Sequence, residues 1–265
     1  MFDEGLFKIF SEEPEQQSEQ HSSSAVEEIE SIDFGKKTVV LSVGGSLVVQ
    51  EKPNTSYIAK LAERISNLYK SGYRFAIVVG GGVVCRNYIA SAKALGANNF
   101  LADSIGIRIT RLNAMLMIQA LENAYPKVLT DVFQAKPIID SGKIPVYGGL
   151  LPGITTDCVA ALVAEYLGAE FINLTNVDGV YSADPKVNPH AKFYPEISYD
   201  RLLSLIKLAG SKPGQNVVLD LPACLILKRS NIPAIVLNGN DLDNFVAAVE
   251  GAEFRGTRIM ASEQA

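Results

Sequence analysis

Histidine is the scarcest reactive residue in this 265-residue chain, which holds two. His21 lies in an acidic stretch, so the body of the protein has only His190. A Ser-His-Asp hydrolase or a multi-histidine metal centre would have to be built from that single imidazole, and both are set aside. Cysteine is nearly as sparse. Cys85, Cys158 and Cys224 are far apart and form no Cys-x-x-Cys pair, which argues against a disulfide scaffold or structural zinc and for a reducing, cytoplasmic setting. No uninterrupted apolar run approaches the ~18 residues of a membrane span. The opening MFDEGLFKIFSEEPEQQ is acidic and lacks the apolar core of a secretory signal. The phosphate loop G-x-x-x-x-G-K-[ST] is missing as well. Gly80 and Gly82 begin a dinucleotide fingerprint, but Cys85 stands where its third glycine belongs, so a nicotinamide dehydrogenase is rejected.

What is present describes an ordinary soluble globular chain, 48% apolar and 20% charged. Its net charge of −5 is unevenly spread. Residues 1–35 carry ten acidic side chains against Lys8, a charge of −9, which leaves +4 on the remainder. The stretch is rich in Glu, Gln and Ser and reads as a disordered acidic extension. Phe2, Leu6, Phe7, Ile9 and Phe10 within it would suit a short apolar anchor. Residues 36–265, about 230 in number, fall within the size of one domain. A body of +4 is too weak a field for nucleic acid and suits a small anionic ligand.

From Lys36 onward, short apolar runs bounded by glycine alternate with helical patterns. Strands are expected at Lys37–Val43, Arg74–Val79, Lys127–Thr130, Ile144–Tyr147, Glu170–Thr175, Ala234–Leu237 and Thr257–Met260. Helices are expected near Ile58–Tyr69, Val83–Leu95, Asp103–Ala124, Thr155–Leu167, Tyr199–Leu208, Asp220–Arg229 and Leu242–Val249. Such alternation specifies an α/β fold with a mainly parallel central sheet, covered by helices on both faces in a three-layer αβα sandwich.

Ligands of open α/β sheets bind at the carboxyl ends of strands, and three such ends here are rich in glycine. They are Gly44-Gly45-Ser46, Gly80-Gly81-Gly82 and Gly148-Gly149-Leu150-Leu151-Pro152-Gly153, the last running into Ile154-Thr155-Thr156-Asp157. Bare backbone N–H groups at such turns suit a phosphate chain. A single turn of this kind is a tight strand-to-helix connection; three at equivalent positions point to a phosphorylated ligand. Arg86, one helical turn beyond Gly82, either leans over a phosphate or lies in solvent. Asp103 either caps the long helix or accepts from a ribose. Asp157, in the first turn of the next helix, has a glycine loop and two hydroxyls beside it. After the strand Glu170–Thr175, Asp178-Gly179 signals a turn and Val180-Tyr181 a short hairpin strand.

The string TNVDGVYSADP (Thr175–Pro185) resembles the adenine-side hairpin of the amino acid kinase superfamily, and VGGS and VVGGG its phosphate-binding strand ends. Within that superfamily the chain is most similar to archaeal-type uridylate (UMP) kinases. The similarity rests on DSIGIRITRLNAML, IPVYGGLLPGITTDCVAALVAEYL and GAEFRGTRI, and it covers Lys36 to about Met260. The resemblance implies transfer of the γ-phosphoryl group of ATP·Mg²⁺ to UMP, with Asp157 organising the catalytic site. Ser42, Gly44, Gly45, Ser46, Gly81, Arg86, Thr175, Tyr181 and Asp184 would meet ATP. Gly80, Asp103, Leu150, Leu151, Pro152, Gly153, Ile154, Thr155 and Thr156 would meet UMP. No protein-held metal site is implied. Two positions depart from the family pattern: Ser42 and Leu225 stand where many relatives have lysine. Lys212 is the candidate to supply the missing charge at the catalytic centre. These losses leave two alternatives, a nucleotide-binding regulatory or storage protein with little turnover, and a kinase for another small anionic acceptor. The resemblance also implies a homo-oligomer, specifically a hexamer. The helix bearing Leu112, Ala114, Met115, Leu116, Ile118 and Leu121 suits either that interface or the core.

Overall fold

The computed structural model describes residues 37–185, 187–209 and 218–260. The acidic extension and Lys212 lie outside the described residues. In chain order the elements are β1 (Thr38–Val43), α1 (Gly45–Val48), α2 (Thr55–Lys70), β2 (Arg74–Val79), α3 (Gly82–Ala94) and α4 (Asn99–Ala120). There follow α5 (Ala135–Asp140), β3 (Val146–Tyr147), α6 (Thr156–Leu167), β4 (Glu170–Thr175) and the short strands β5 (Val180–Tyr181), β6 (Phe193–Tyr194) and β7 (Glu196–Ser198). The chain closes through α7 (Tyr199–Ala209), α8 (Leu221–Arg229), β8 (Ala234–Asn238), α9 (Leu242–Glu250) and β9 (Thr257–Met260).

Seven strands form one sheet in the order β3-β2-β1-β4-β8-β9-β7. The first five run parallel, and β9 turns back antiparallel to β8. In β1 and β2 every residue after the first is buried, as a strand covered on both faces requires. On one face Val40, Val78 and Phe171 meet α6, α7 and α8, represented by Val159, Leu202 and Leu227. On the other, Leu41, Ile77 and Ile172 meet α2, α4 and α9 through Leu61, Met117 and Phe245. Since successive strand residues point to opposite faces, neighbours such as Val40 and Leu41 serve different cores. β5 and β6 form a separate antiparallel pair.

Several boundaries differ from the sequence expectation for identifiable reasons. The long helix α4 starts at Asn99, one turn before Asp103, because Asn98 caps it by accepting from the Leu101 N–H at 2.9 Å. Lys127–Thr130 forms no strand: Pro126 precedes it and Asp131 starts a 3₁₀ turn immediately after, so the segment contributes only a bridge from Leu129 to Tyr147. Pro145 similarly shortens the next strand to Val146–Tyr147. The helix α5 and the strands β6 and β7, split by Pro195, had no periodic pattern long enough to read. Ala114 of α4 and Leu121 at its C-cap are buried, whereas Leu112, Met115 and Leu116 are exposed, so that helix serves the core on one side only.

Candidate active site

Two glycine turns meet backbone to backbone at the carboxyl ends of β1 and β2. A Cβ on Gly45 would lie 2.0 Å from the Gly82 nitrogen and 2.5 Å from the Gly81 nitrogen. Gly82 itself has φ +69°, the left-handed region in which a side chain is strained. Neither position tolerates a side chain, and the N–H groups of two turns are thereby gathered at the start of α1 and α3. Asn113, buried on α4, fixes the second turn by donating to the carbonyls of Gly80 at 2.9 Å and Gly81 at 3.3 Å.

Beside these turns stand two carboxylates. Thr155 caps α6 by accepting from the Cys158 N–H at 3.1 Å, which places Asp157 in the first turn of that helix. The buried Ser42 hydroxyl donates to Asp157 Oδ1 at 2.6 Å. The Thr155 hydroxyl donates to Asp220, whose other oxygen caps α8 by accepting from the Ala223 N–H at 2.7 Å. Burial is the main reason the Asp157 carboxyl is pushed up to about 6; the Ser42 hydrogen bond opposes this and the charge of Asp220 adds to it. Ser42, expected to meet ATP, instead lies beneath the site and holds Asp157.

Next to the second turn opens a cavity of about 480 Å³, lined by Gly81, Arg86, Asp103, Leu151, Gly153, Ile154, Thr155 and Thr156 among others. α4 forms one wall and holds the third glycine loop. Thr110 Oγ1 accepts from the Gly149 N–H at 2.7 Å, Arg111 donates to the Gly149 carbonyl at 3.1 Å, and Asp103 accepts from the Gly153 N–H at 2.9 Å. Asp103 is therefore not a cap; it spans the cavity to the loop. Arg86 is exposed there and makes no ion pair among the described residues. The cavity thus joins Gly81 and Arg86, read from sequence as ATP contacts, to the loop read as the UMP site. Gly80, read as a UMP contact, is instead packed against Gly45.

Thr175, Tyr181 and Asp184 lie elsewhere, at the end of β4 and along the β5–β6 hairpin. The Tyr181 ring packs on Phe193 across the hairpin with centroids 5.2 Å apart. The candidate residues therefore fall into two separate regions, the cavity beside the second glycine turn and the β5–β6 hairpin.

The profile of the Amino acid kinase family matches residues 37–238. The chain belongs to the amino acid kinase family. Among curated relatives, a uridylate kinase of Thermococcus sibiricus is 41% identical over 223 residues, spanning 83% of this chain and 98% of the relative. One from Archaeoglobus fulgidus is 43% identical over 222 residues, spanning 83% and 99%. The crystal structure of the Archaeoglobus fulgidus uridylate kinase superposes with a TM-score of 0.76 at 42% identity, covering 84% of this chain and all of that one. That of a UMP kinase from Ureaplasma parvum gives 0.73 at 26% identity, covering 85% and 99%. The three-layer sandwich is thus the amino acid kinase fold.

Sequence reading missed several residues of this amino acid kinase site. Thr110 and Asn113 sit three apart on one face of α4, and their polarity inside an otherwise buried helical stripe was the available signal. Asp220 offered none beyond its capping position, since its proximity to Thr155 is created by the sheet.

Proposed function

We propose that this amino acid kinase transfers the γ-phosphoryl group of ATP to UMP, giving UDP, with the cavity beside Gly81 as the acceptor site and the β5–β6 hairpin as the ATP side. The observation that carries this is the acceptor loop 148–156, held open against α4 by Thr110, Arg111 and Asp103 and running directly into Asp157. Phosphoryl transfer asks a protein for alignment and charge neutralisation more than for a covalent catalyst. The N–H groups of Gly44–Ser46 and Gly81–Gly82 take the donor phosphates, and Arg86 meets the phosphate that the acceptor brings into the cavity. Asp103, on the acceptor side, has an oxygen for a ribose hydroxyl. Asp157 orients the groups around the transferring phosphoryl; Ser42 fixes its position, and the nearby charge of Asp220 raises its proton affinity.

Mg²⁺ would accompany ATP, with Asp157 and Asp220 as the residues to hold it. The donor set fits it: Asp157 and Asp220 offer hard oxygens, and hydroxyls satisfy part of their hydrogen-bonding capacity. Among the described residues no group of three or more His, Cys, Asp or Glu side chains forms a metal cage. Mg²⁺ usually binds through one or two carboxylates together with substrate phosphates. Bound there, the cation would neutralise charge on the phosphates. Lys212 supplies the positive charge missing at Ser42 and Leu225.

The protein works in the cytoplasm, in pyrimidine nucleotide synthesis; three buried free thiols suit a reducing compartment. It is a homo-oligomer, a hexamer by its family, and the exposed Leu112, Met115 and Leu116 of α4 supply an apolar contact between copies. Among the described residues no helix is long and apolar enough to cross a membrane. The test is ADP release by purified protein with ATP·Mg²⁺ and UMP, CMP, AMP, acetylglutamate or isopentenyl phosphate. UMP is the expected acceptor. UMP binding without turnover, or preference for a non-nucleotide acceptor, overturns the assignment.

A further inference from the structure

The motif GAEFRGTRI near the C-terminus has no part in the mechanism above, yet one of its side chains is fully enclosed. Thr257, on β9, has no exposed surface. Its hydroxyl is used twice: it accepts from the Val180 N–H at 2.8 Å and donates to the Tyr194 carbonyl at 2.6 Å. Val180 and Tyr194 are register partners in the β5–β6 pair. A single hydroxyl therefore ties both strands of the small hairpin to the large sheet, where Thr257 pairs with Val236 of β8. The turn closes onto the same atom: a Cβ on Gly179 would lie 2.4 Å from Thr257 Oγ1.

A second attachment lies outside. Asp178 accepts from Asn238 Nδ2 at 3.0 Å and pairs with Arg255 at 2.8 Å, while Asn244 holds the Arg255 backbone by two hydrogen bonds. Arg255 is largely exposed, so solvent and salt weaken that pair. The inner attachment differs in kind, because removing a buried hydroxyl leaves a buried N–H and a part-buried carbonyl without that partner. Tyr181 follows Val180 directly, and its ring rests on Phe193, the neighbour of Tyr194. Any shift of the hairpin on β9 moves that aromatic pair.

We infer that Thr257 is a positioning residue for the ATP half of the site: its hydroxyl sets where Tyr181 and Asp184 stand and so governs ATP affinity without touching nucleotide. This rests on the reading of β5–β6 as the ATP-side hairpin. The experiment compares full-length wild type, Thr257→Val, Thr257→Ser and Tyr181→Ala, with ATP and UMP varied separately and thermal melting as a folding control. Thr257→Val keeps the shape and loses the hydroxyl. It is expected to raise KM for ATP about tenfold, the factor for roughly one buried hydrogen bond, with KM for UMP and kcat within about twofold. Thr257→Ser is expected to restore wild-type values. If Thr257→Val leaves the ATP KM unchanged while Tyr181→Ala raises it, the inference about Thr257 is overturned and the ATP-side reading stands. If neither variant changes the ATP KM, the ATP-side reading itself fails. A parallel loss for both substrates means general damage and also overturns the inference. Should Thr257→Val not fold, a raised ATP KM in folded Thr257→Ser is the overturning result.

Discussion

Replacing Asp157 with Asn is expected to make the free protein more stable while nearly abolishing its activity. Holding a carboxyl that ordinarily titrates near 3.8 up to about 6 costs the folded state about 3 kcal/mol at neutral pH, at about 1.4 kcal/mol per tenfold change in acidity. Asp157 keeps some contact with solvent, which reduces the expected cost to about 1–2 kcal/mol. Below about pH 4 the group is protonated in both folded and unfolded chains and imposes no cost. As pH rises from about 4 to about 6 the unfolded chain ionises first, so stability is lost across that window and stays lost above it. Asparagine keeps the oxygen that accepts from Ser42 and has no such titration. Thermal melting without nucleotide and with a chelator should therefore show a higher Tm for the variant by about 2–8 °C near pH 7.5, for a domain of this size. The difference should shrink toward zero near pH 4. A pH-independent difference, or a variant less stable than wild type near pH 7.5, would refute this account of the site's electrostatics. In the coupled ADP assay the same variant should lose at least about a hundredfold in kcat.

The contact between glycine turns makes Gly45→Ala severe: with Cβ 2.0 Å from the Gly82 nitrogen, activity should fall at least about a hundredfold, and activity near wild type would disprove that tight fit. Asp103→Ala frees Gly153 from α4 and should raise KM for UMP about tenfold while leaving KM for ATP alone; a larger effect on ATP would reverse the assignment of the cavity. Lys212→Ala should lower kcat at least about tenfold with smaller changes in either KM, and unchanged turnover would remove Lys212 as the source of charge.

The glycine turns were legible because each follows a run of buried β-branched or aromatic residues, a pattern that places it at a strand end without any tertiary information. Asp157 was legible for a similar local reason, since Thr155 announces a helix start two residues earlier. Ser42 was not: inside TVVLSV a hydroxyl simply reads as a buried polar atom, and its partner is 115 positions away. The same holds for Asp220, which reaches Thr155 only because β1, β4 and β8 are neighbours in the sheet. How Gly80, Gly81 and Arg86 are disposed around the cavity was not legible locally either. It depends on which side of a turn faces α4 and which faces Gly45, and that is a property of packing.

The contact of Gly45 with Gly81 and Gly82 has a mechanical consequence. Side chains can change rotamer to accommodate a displaced neighbour; peptide planes in direct contact have no such freedom. One turn cannot recoil unless the other moves with it, so the spacing between the two sets of backbone N–H groups is inherited from the spacing of two adjacent parallel strands, about 4.8 Å. The bed that the proposed function offers to the donor phosphates is thereby set by the hydrogen-bond ladder of the sheet, the least adjustable ruler in the molecule.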